Sequence, residues 1–128
     1  MRYGIIGNCQ YSALVDDHAN VVWMCWPRFD SSFVFGGLLS EKNGGRFSIS
    51  PPDGRAGVQR YVGHTNILAT RFVTDRGSFE VVDFAPRFVQ FDRYYKPTTL
   101  VRIVRPIDGE PLVRVVCEPR ADYGRRRL

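Results

Sequence analysis

The sequence predicts an all-β chain: an antiparallel sandwich or barrel with little helix. Three observations carry that prediction. Short apolar runs alternate with Gly, Pro, Asn and Asp clusters at fairly regular spacing, which reads as about six to ten short strands. Aromatic residues reach 13%, with nine Phe, six Tyr and two Trp, and such residues suit pleated surfaces. The 128 residues, 44% hydrophobic and 24% charged, have globular composition and are enough for one domain with an ordinary core.

The elements follow in order. Residues 3–7 read as a short strand. Residues 11–15 and 21–26 are apolar runs separated by Asp16-Asp17-His18-Ala19-Asn20, mostly turn formers, and they predict a hairpin centred near His18. That register sets Tyr11 opposite Cys25 and brings Cys9 diagonally near Cys25. Residues 33–39 predict a short helical turn broken at Gly36-Gly37. A strand at Arg46–Ser50 stops at Pro51-Pro52, Asp53-Gly54 makes a turn, and residues 58–62 form another strand. Asn66–Thr74 and Ser78–Phe84 are joined by Asp75-Arg76-Gly77, with glycine where the turn needs a positive φ. Thr99–Arg105 and Leu112–Cys117 flank a loop whose Asp108-Gly109 signals a hairpin. Pro106 and Pro111 should terminate its strands, because proline lacks the ladder N–H.

One run goes beyond fold class. In residues 21–26 both alternating faces are apolar: Val21, Trp23 and Cys25 on one, Val22, Met24 and Trp26 on the other. A sandwich strand usually shows one face to water, so a local loop, a partner chain or a second domain outside this sequence should cover the other.

Charge excludes some partners. The net charge is +5 and the pI about 9.4, but much of the excess sits in Arg120, Arg125, Arg126 and Arg127, read as a solvated tail or the start of a linker. Elsewhere the signs intersperse without a basic stripe, so no nucleic acid is expected. No apolar run approaches the roughly 18 residues of a membrane span, so no membrane is expected either. The N-terminus lacks a signal-peptide core, and the expected setting is the reducing cytoplasm. Three cysteines, Cys9, Cys25 and Cys117, argue against a disulfide framework or zinc site, and Cys9 and Cys25 are expected as buried thiols. His18 and His64 have no ligand-spaced partners and no phosphate-binding glycine motif occurs, so neither metal nor cofactor is expected.

The stretch Tyr3-Gly4-Ile5-Ile6-Gly7-Asn8-Cys9, then Ala13-Leu14-Val15, then Trp23-Met24-Cys25 and Pro27-Arg28-Phe29-Asp30-Ser31 resembles the opening of bacterial and archaeal glycoside hydrolase family 15 enzymes of the glucoamylase and trehalase types. Thr65-Asn66-Ile67-Leu68-Ala69-Thr70, Val81-Val82-Asp83-Phe84-Ala85-Pro86, Val101-Arg102 and Asp122-Tyr123-Gly124 resemble later family pieces in the same order. Two departures stand out: Asn8 replaces an expected Asp, and residues 16–22 replace a Gly-Ser-Ile-Asp turn. The resemblance implies an N-terminal β-sandwich of the supersandwich type, held in whole or in part by residues 1–128. It implies a C-terminal (α/α)6 catalytic barrel as its partner in the parent protein, lying outside this chain. The barrel would carry the acid and base that hydrolyse an α-glucan or trehalose with inversion.

The candidate site residues follow from these motifs. Glu41, Glu80, Glu110 and Glu118 sit beside turns or on strands in no catalytic pattern, and read as solvated charges, so no catalytic residue is assigned. Arg28 and Asp30 share one side of an extended segment, placed to meet a sugar or, as the favoured reading, to form an ion pair that fixes the loop or docks it on the barrel. Asn8 divides the same way. Trp23 and Trp26 suit core or interface packing better than sugar stacking. Asp83 is expected to accept backbone N–H bonds at a strand end. Two rivals stay open beside the non-catalytic domain: a stand-alone carbohydrate-binding module, and a structural or homo-oligomeric sandwich.

Overall fold

The structure, a computed structural model, describes residues 2–128. All regular elements among them are strands. In chain order they are β1 (Tyr3–Gly7), β2 (Ser12–Asp16), β3 (Asn20–Cys25), β4 (Phe33–Phe35), β5 (Arg46–Ser50), β6 (Val58–Tyr61), β7 (Leu68–Thr74), β8 (Gly77–Phe84), β9 (Phe88–Gln90), β10 (Arg93–Tyr95), β11 (Val101–Gly109), β12 (Arg114–Glu118), β13 (Arg120–Ala121) and β14 (Arg126–Arg127). One sheet runs β1-β2-β3-β5-β12, with β4 also on β3, and the other runs β11-β8-β7-β6. The predicted antiparallel sandwich is therefore present.

The inward faces explain why the sheets stack. Ile6, Ala13, Val15 and Val21 of the first sheet meet Leu68 of the second, while Ala19 and Ile49 meet Phe72, Phe79 and Val81. Phe72 and Phe79, paired across β7 and β8, stack at 5.1 Å. Each fully buried side chain of this kind contributes roughly 1.5–3 kcal/mol. One flank of the sandwich is closed by β6 against β1. The Tyr61 hydroxyl donates to the Ile5 carbonyl and accepts from its N–H, both at 2.9 Å. Gln59 donates to the Val15 and Asp16 carbonyls.

Several expectations are corrected. The 12–25 hairpin forms, but a bulge near Val22 shifts its register by one. Val15 faces Val21 beside the turn, whereas Ala13 faces Met24 beyond the bulge. Tyr11 consequently packs on Trp26, edge to face at 5.2 Å, rather than opposite Cys25. Residues 33–35 are strand, and only the Gly36–Ser40 turn remains of the expected helical turn. Strands β11 and β12 do not pair with each other: β11 pairs with β8 and β12 with β5, so residues 110–113 cross between sheets. Pro106 lies inside β11 at a bulge, and β11 is an edge strand, the place in a sheet where proline is tolerated. The C-terminal arginines are no free tail. Strands β13 and β14 pair, and Tyr123 between them packs edge-on against Phe33. Gly77 does take the positive φ expected of it, at 144°.

Candidate functional site

Four connections gather at one end of the sandwich: residues 8–11, 26–32, 62–67 and 85–100. Asn8 ties them together. Its Nδ2 donates to the carbonyls of Pro86 and Pro97, each at 2.9 Å, and its Oδ1 accepts from the Gln10 N–H at 3.1 Å. Asn66 Nδ2 donates to the Gly7 carbonyl at 2.6 Å, and the Tyr11 hydroxyl donates to Thr99 at 2.6 Å. Burial pushes the Tyr11 phenol up to about 12. These bonds shape a groove of about 570 Å3 lined by Asn8, Cys9, Asn66, Phe84, Arg87 and Phe88 among others.

The predicted site residues divide on inspection. Asn8 is 2% exposed with both ends of its carboxamide engaged, so it builds the loops. Arg28 and Asp30 form the expected ion pair, Nε to Oδ1 at 2.9 Å and Nη2 to Oδ2 at 2.6 Å, but both stay in solvent. The hydrogen bond from Arg28 holds the Asp30 carboxyl below its usual range, and Asp30 raises Arg28. Trp26 is half-buried beside Tyr11. Trp23 is half-buried on the outer face of the first sheet, 5.6 Å from Phe33. Cys9 is exposed in a left-handed turn at φ 71°, with Arg87 Nη1 3.8 Å from its sulfur, which corrects the buried-thiol expectation. All three cysteines are free.

Three features escaped the motif reading. Strands β9 and β10 form an arm whose residues are all exposed. Phe91 at its tip is 84% exposed, Tyr94 is 70% exposed, and Phe88 stacks on Tyr95 at 5.3 Å. The aromatic density of Phe88-Val89-Gln90-Phe91-Asp92-Arg93-Tyr94-Tyr95 was the available signal. Next, Asp83 does not cap backbone amides. It is fully buried against Arg102, Nε to Oδ1 at 2.7 Å and Nη2 to Oδ2 at 3.1 Å. Arg102 also donates to the Phe47 and Ala19 carbonyls and lies over the Phe47 ring, so it bolts β11 to the first sheet. Last, Glu80 is no solvated charge: it is 4% exposed and lies between Arg60 at 3.0 Å and Arg105 at 3.4 Å.

Hydrolysis of a glycosidic bond by the usual route needs two carboxyl groups facing a shared space. The lining of the loop-end groove includes no carboxylate, Asp30 is clamped by Arg28, and Asp83 and Glu80 are held by arginines. At the opposite end, Asp16, Asp17 and His18 bring ligand-type atoms within 4.8 Å of one another, a grouping the sequence reading of His18 did not anticipate. Asp16 Oδ1 there accepts the N–H groups of His18 and Asn20, and Asp17 meets His18 Nδ1 at 2.9 Å, so the hairpin itself accounts for the cluster.

Comparison with known proteins adds a family. The model of the family described as "Trehalase-like, N-terminal" matches residues 1–128. Trehalase 1 of Sulfolobus acidocaldarius is 45% identical over 83 residues, 65% of this chain and 14% of that protein. Trehalase 2 of the same organism is 32% identical over 124 residues, 97% of this chain and 19% of that protein. The trehalase of Mycolicibacterium smegmatis is 31% identical over 140 residues, 96% of this chain and 20% of that protein. This chain thus spans a fifth or less of the length of these relatives. No solved structure matches it. With a family match along its whole length and an all-β sandwich to accompany it, the chain belongs to the trehalase-like N-terminal family.

Proposed function

We propose that this chain is a non-catalytic N-terminal domain of an α-glucoside hydrolase of the trehalase or glucoamylase type. One observation carries the reading: the relatives described above are named trehalases, and this sequence aligns with only a small part of each. No carboxylate lines the loop-end groove, and the reading assigns the catalytic acid and base to another part of the parent. Those groups belong to a catalytic domain of the same parent, an (α/α)6 barrel on the family resemblance. The parent's substrate would be trehalose or an α-glucan, cleaved with inversion in the cytoplasm.

The role proposed for this domain is to pack on the barrel and help shape the rim of its cleft. Two surfaces favour that role. The β9–β10 arm holds Phe91 and Tyr94 in solvent at the loop end, where Arg28 and Asp30 also lie. On the flank away from β6, strands β11 and β12 are free edges, and core-facing Val104 and Val115 are uncovered. Val104 pairs with buried Val81 yet is 39% exposed, and Val115 pairs with buried Ile49 yet is 58% exposed. Between them an apolar opening of about 370 Å3 exposes Trp26, Phe47, Leu100 and Cys117. Core-facing side chains left in water favour the reading that further chain covers this flank.

The experiment is a turnover assay on trehalose, maltose and soluble starch. This chain alone should show none, and mixing it with the separately produced remainder of its parent should restore turnover. Robust turnover by the chain alone would overturn the reading. The stand-alone carbohydrate-binding module fits less well, because Trp23 and Trp26 are half-buried and offer no coplanar exposed platform. A homo-oligomer through the open edges predicts a dimer in solution, and a strictly monomeric species counts against it.

A further inference from the structure

The outer face of the first sheet, at the end opposite the loop groove, carries a second depression. Register fixes what points there. Tyr3 pairs with Asp16 and Ile5 with Leu14, all outward-facing beside inward Ile6, Ala13 and Val15. Leu14 in turn pairs with Trp23, and Asn20 pairs with Ser48. The Gly36–Gly45 loop folds over this face. Leu38 N–H donates to the Val22 carbonyl at 2.9 Å, and Gly36 and Gly44 close the loop at 2.8 Å. Leu38 and Leu39 make a ridge. On one side is an apolar hollow against Ile5, Leu14 and Trp23. On the other is a polar depression of about 430 Å3 reached by Tyr3, Asp16, Asn20, Ser40, Glu41 and Arg46.

The chemistry of that depression is mixed in a particular way. Asp16 Oδ1 is committed to the His18 and Asn20 amides, which leaves its second oxygen available. Burial holds this carboxyl above its usual range, since removal from water disfavours the charged form. Asn20 Oδ1 is buried and has no hydrogen-bond partner. Arg46 gives Nε to Glu118 at 3.1 Å, so its charge is already opposed. Two carboxylates in the lining disfavour an anion. One oxygen of Asp16 shared by two amides, together with Arg46, disfavours a bare cation. What remains is a neutral ligand carrying several hydroxyls that both donate and accept. Tyr3, 45% exposed, with Leu38 and Leu39 gives the apolar wall on which the C–H face of such a ligand rests. The volume sits in the lower part of the roughly 300–1,000 Å3 range of small-molecule sites.

We infer that this depression is a binding site for a neutral polyhydroxylated ligand of disaccharide size, separate from the loop-end groove and from any catalytic cleft. Tyr3 and Leu39 supply the apolar wall, and Asp16, Asn20 and Arg46 meet the hydroxyls. The site does not depend on the identity of the parent enzyme. It would also be available in a chain that never turns substrate over.

The test is an amide-resolved NMR titration of the 128-residue chain with trehalose and, separately, with maltose. Saturable shifts are expected at Tyr3, Asp16, Asn20, Leu39 and Glu41 with at least one sugar. Tyr3→Ala and Asn20→Ala should abolish the saturation while leaving the dispersion of the remaining spectrum unchanged. Ile5→Ala, in the neighbouring apolar hollow, should leave it intact. Tyr3 and Ile5 are both surface residues, so the first and third variants compare like with like. No saturable shift with either sugar, or saturation confined to the loop end, overturns the inference. Saturation that survives Tyr3→Ala and Asn20→Ala overturns it equally. None of these outcomes touches the turnover assay, so the two readings fail separately.

Discussion

A buried ion pair and a buried carboxyl show how single residues set the stability of this sandwich, and in opposite directions. Arg102 and Asp83 are 3% and 0% exposed, and the guanidinium also holds two carbonyls of the other sheet. Removing one member of such a pair leaves a buried charge without a partner, which costs about 3–5 kcal/mol. Arg102→Met should therefore lower the urea midpoint severely, and Arg102→Met with Asp83→Leu should recover much of that loss. A double variant as unstable as the single one would mean that the carbonyl bonds, not the charge pair, dominate. Asp16 behaves differently. Its folded carboxyl lies above the ordinary value of 3.8, chiefly through burial. A raised pKa means the folded state binds the proton better, so the contribution is present below pH 3.8 and is lost as pH rises through the folded value. Asp16→Asn keeps an oxygen for the two amides and removes the buried charge. It should leave the thermal midpoint equal or higher at pH 7, with the advantage disappearing toward pH 3. Arg28→Ala, which breaks a pair lying wholly in solvent, should leave the midpoint unchanged.

At the scale of elements, the sequence was most readable where a glycine turn joins two apolar runs. Strands β7 and β8 are joined at the glycine turn that the Asp75-Arg76-Gly77 signal marks. The connection after β11 was misread because Asp108-Gly109, a hairpin signal by composition, lies within β11 and pairs with Ser78 and Gly77 of β8. Local signals cannot report which sheet a strand joins. The register slip in the β2–β3 hairpin has the same origin: a bulge adds a residue without leaving a mark in an all-apolar run. Of the site residues, Arg28–Asp30 was legible from spacing, whereas Asn8, Asp83 and Glu80 owe their roles to partners many positions away. The arm was missed because its tip breaks the rule used to find hairpins. Phe91 and Asp92 take φ of 51° and 58°, where Asn-Gly would be expected. Phe91→Asn with Asp92→Gly should relieve about 1 kcal/mol of backbone cost per position, seen as slower amide exchange in β9 and β10. If the arm meets the catalytic domain, the same change should weaken restoration of turnover on mixing. Tighter exchange with full restoration would leave the arm without a docking role.

For the whole molecule the deciding asymmetry is between its two flanks. At β6 the sheets are stitched by Tyr61 and Gln59, whereas at β11 and β12 inward-facing Val104, Val115 and Cys117 remain open to solvent. Thiol chemistry reads this directly. In the chain alone, Cys9 and Cys117 are exposed while Cys25 is half-buried, its thiol pushed up by burial. A thiol-specific reagent under native conditions should thus give two fast reactions and one slow one, and the slow one should belong to Cys25. When the chain is joined to, or mixed with, the remainder of its parent, a sandwich completed across its open flank must cover Cys117. Of the three thiols Cys117 is the one that lines this opening, so its reaction should slow selectively. Cys9 reports independently on whether the loop end is covered. Protection of Cys117 with an unchanged Cys9 would place the contact on the sheet edges and remove the loop end from the interface. Protection of Cys9 alone would do the reverse, and would leave the core-facing valines of β11 and β12 to be covered by something other than the parent chain.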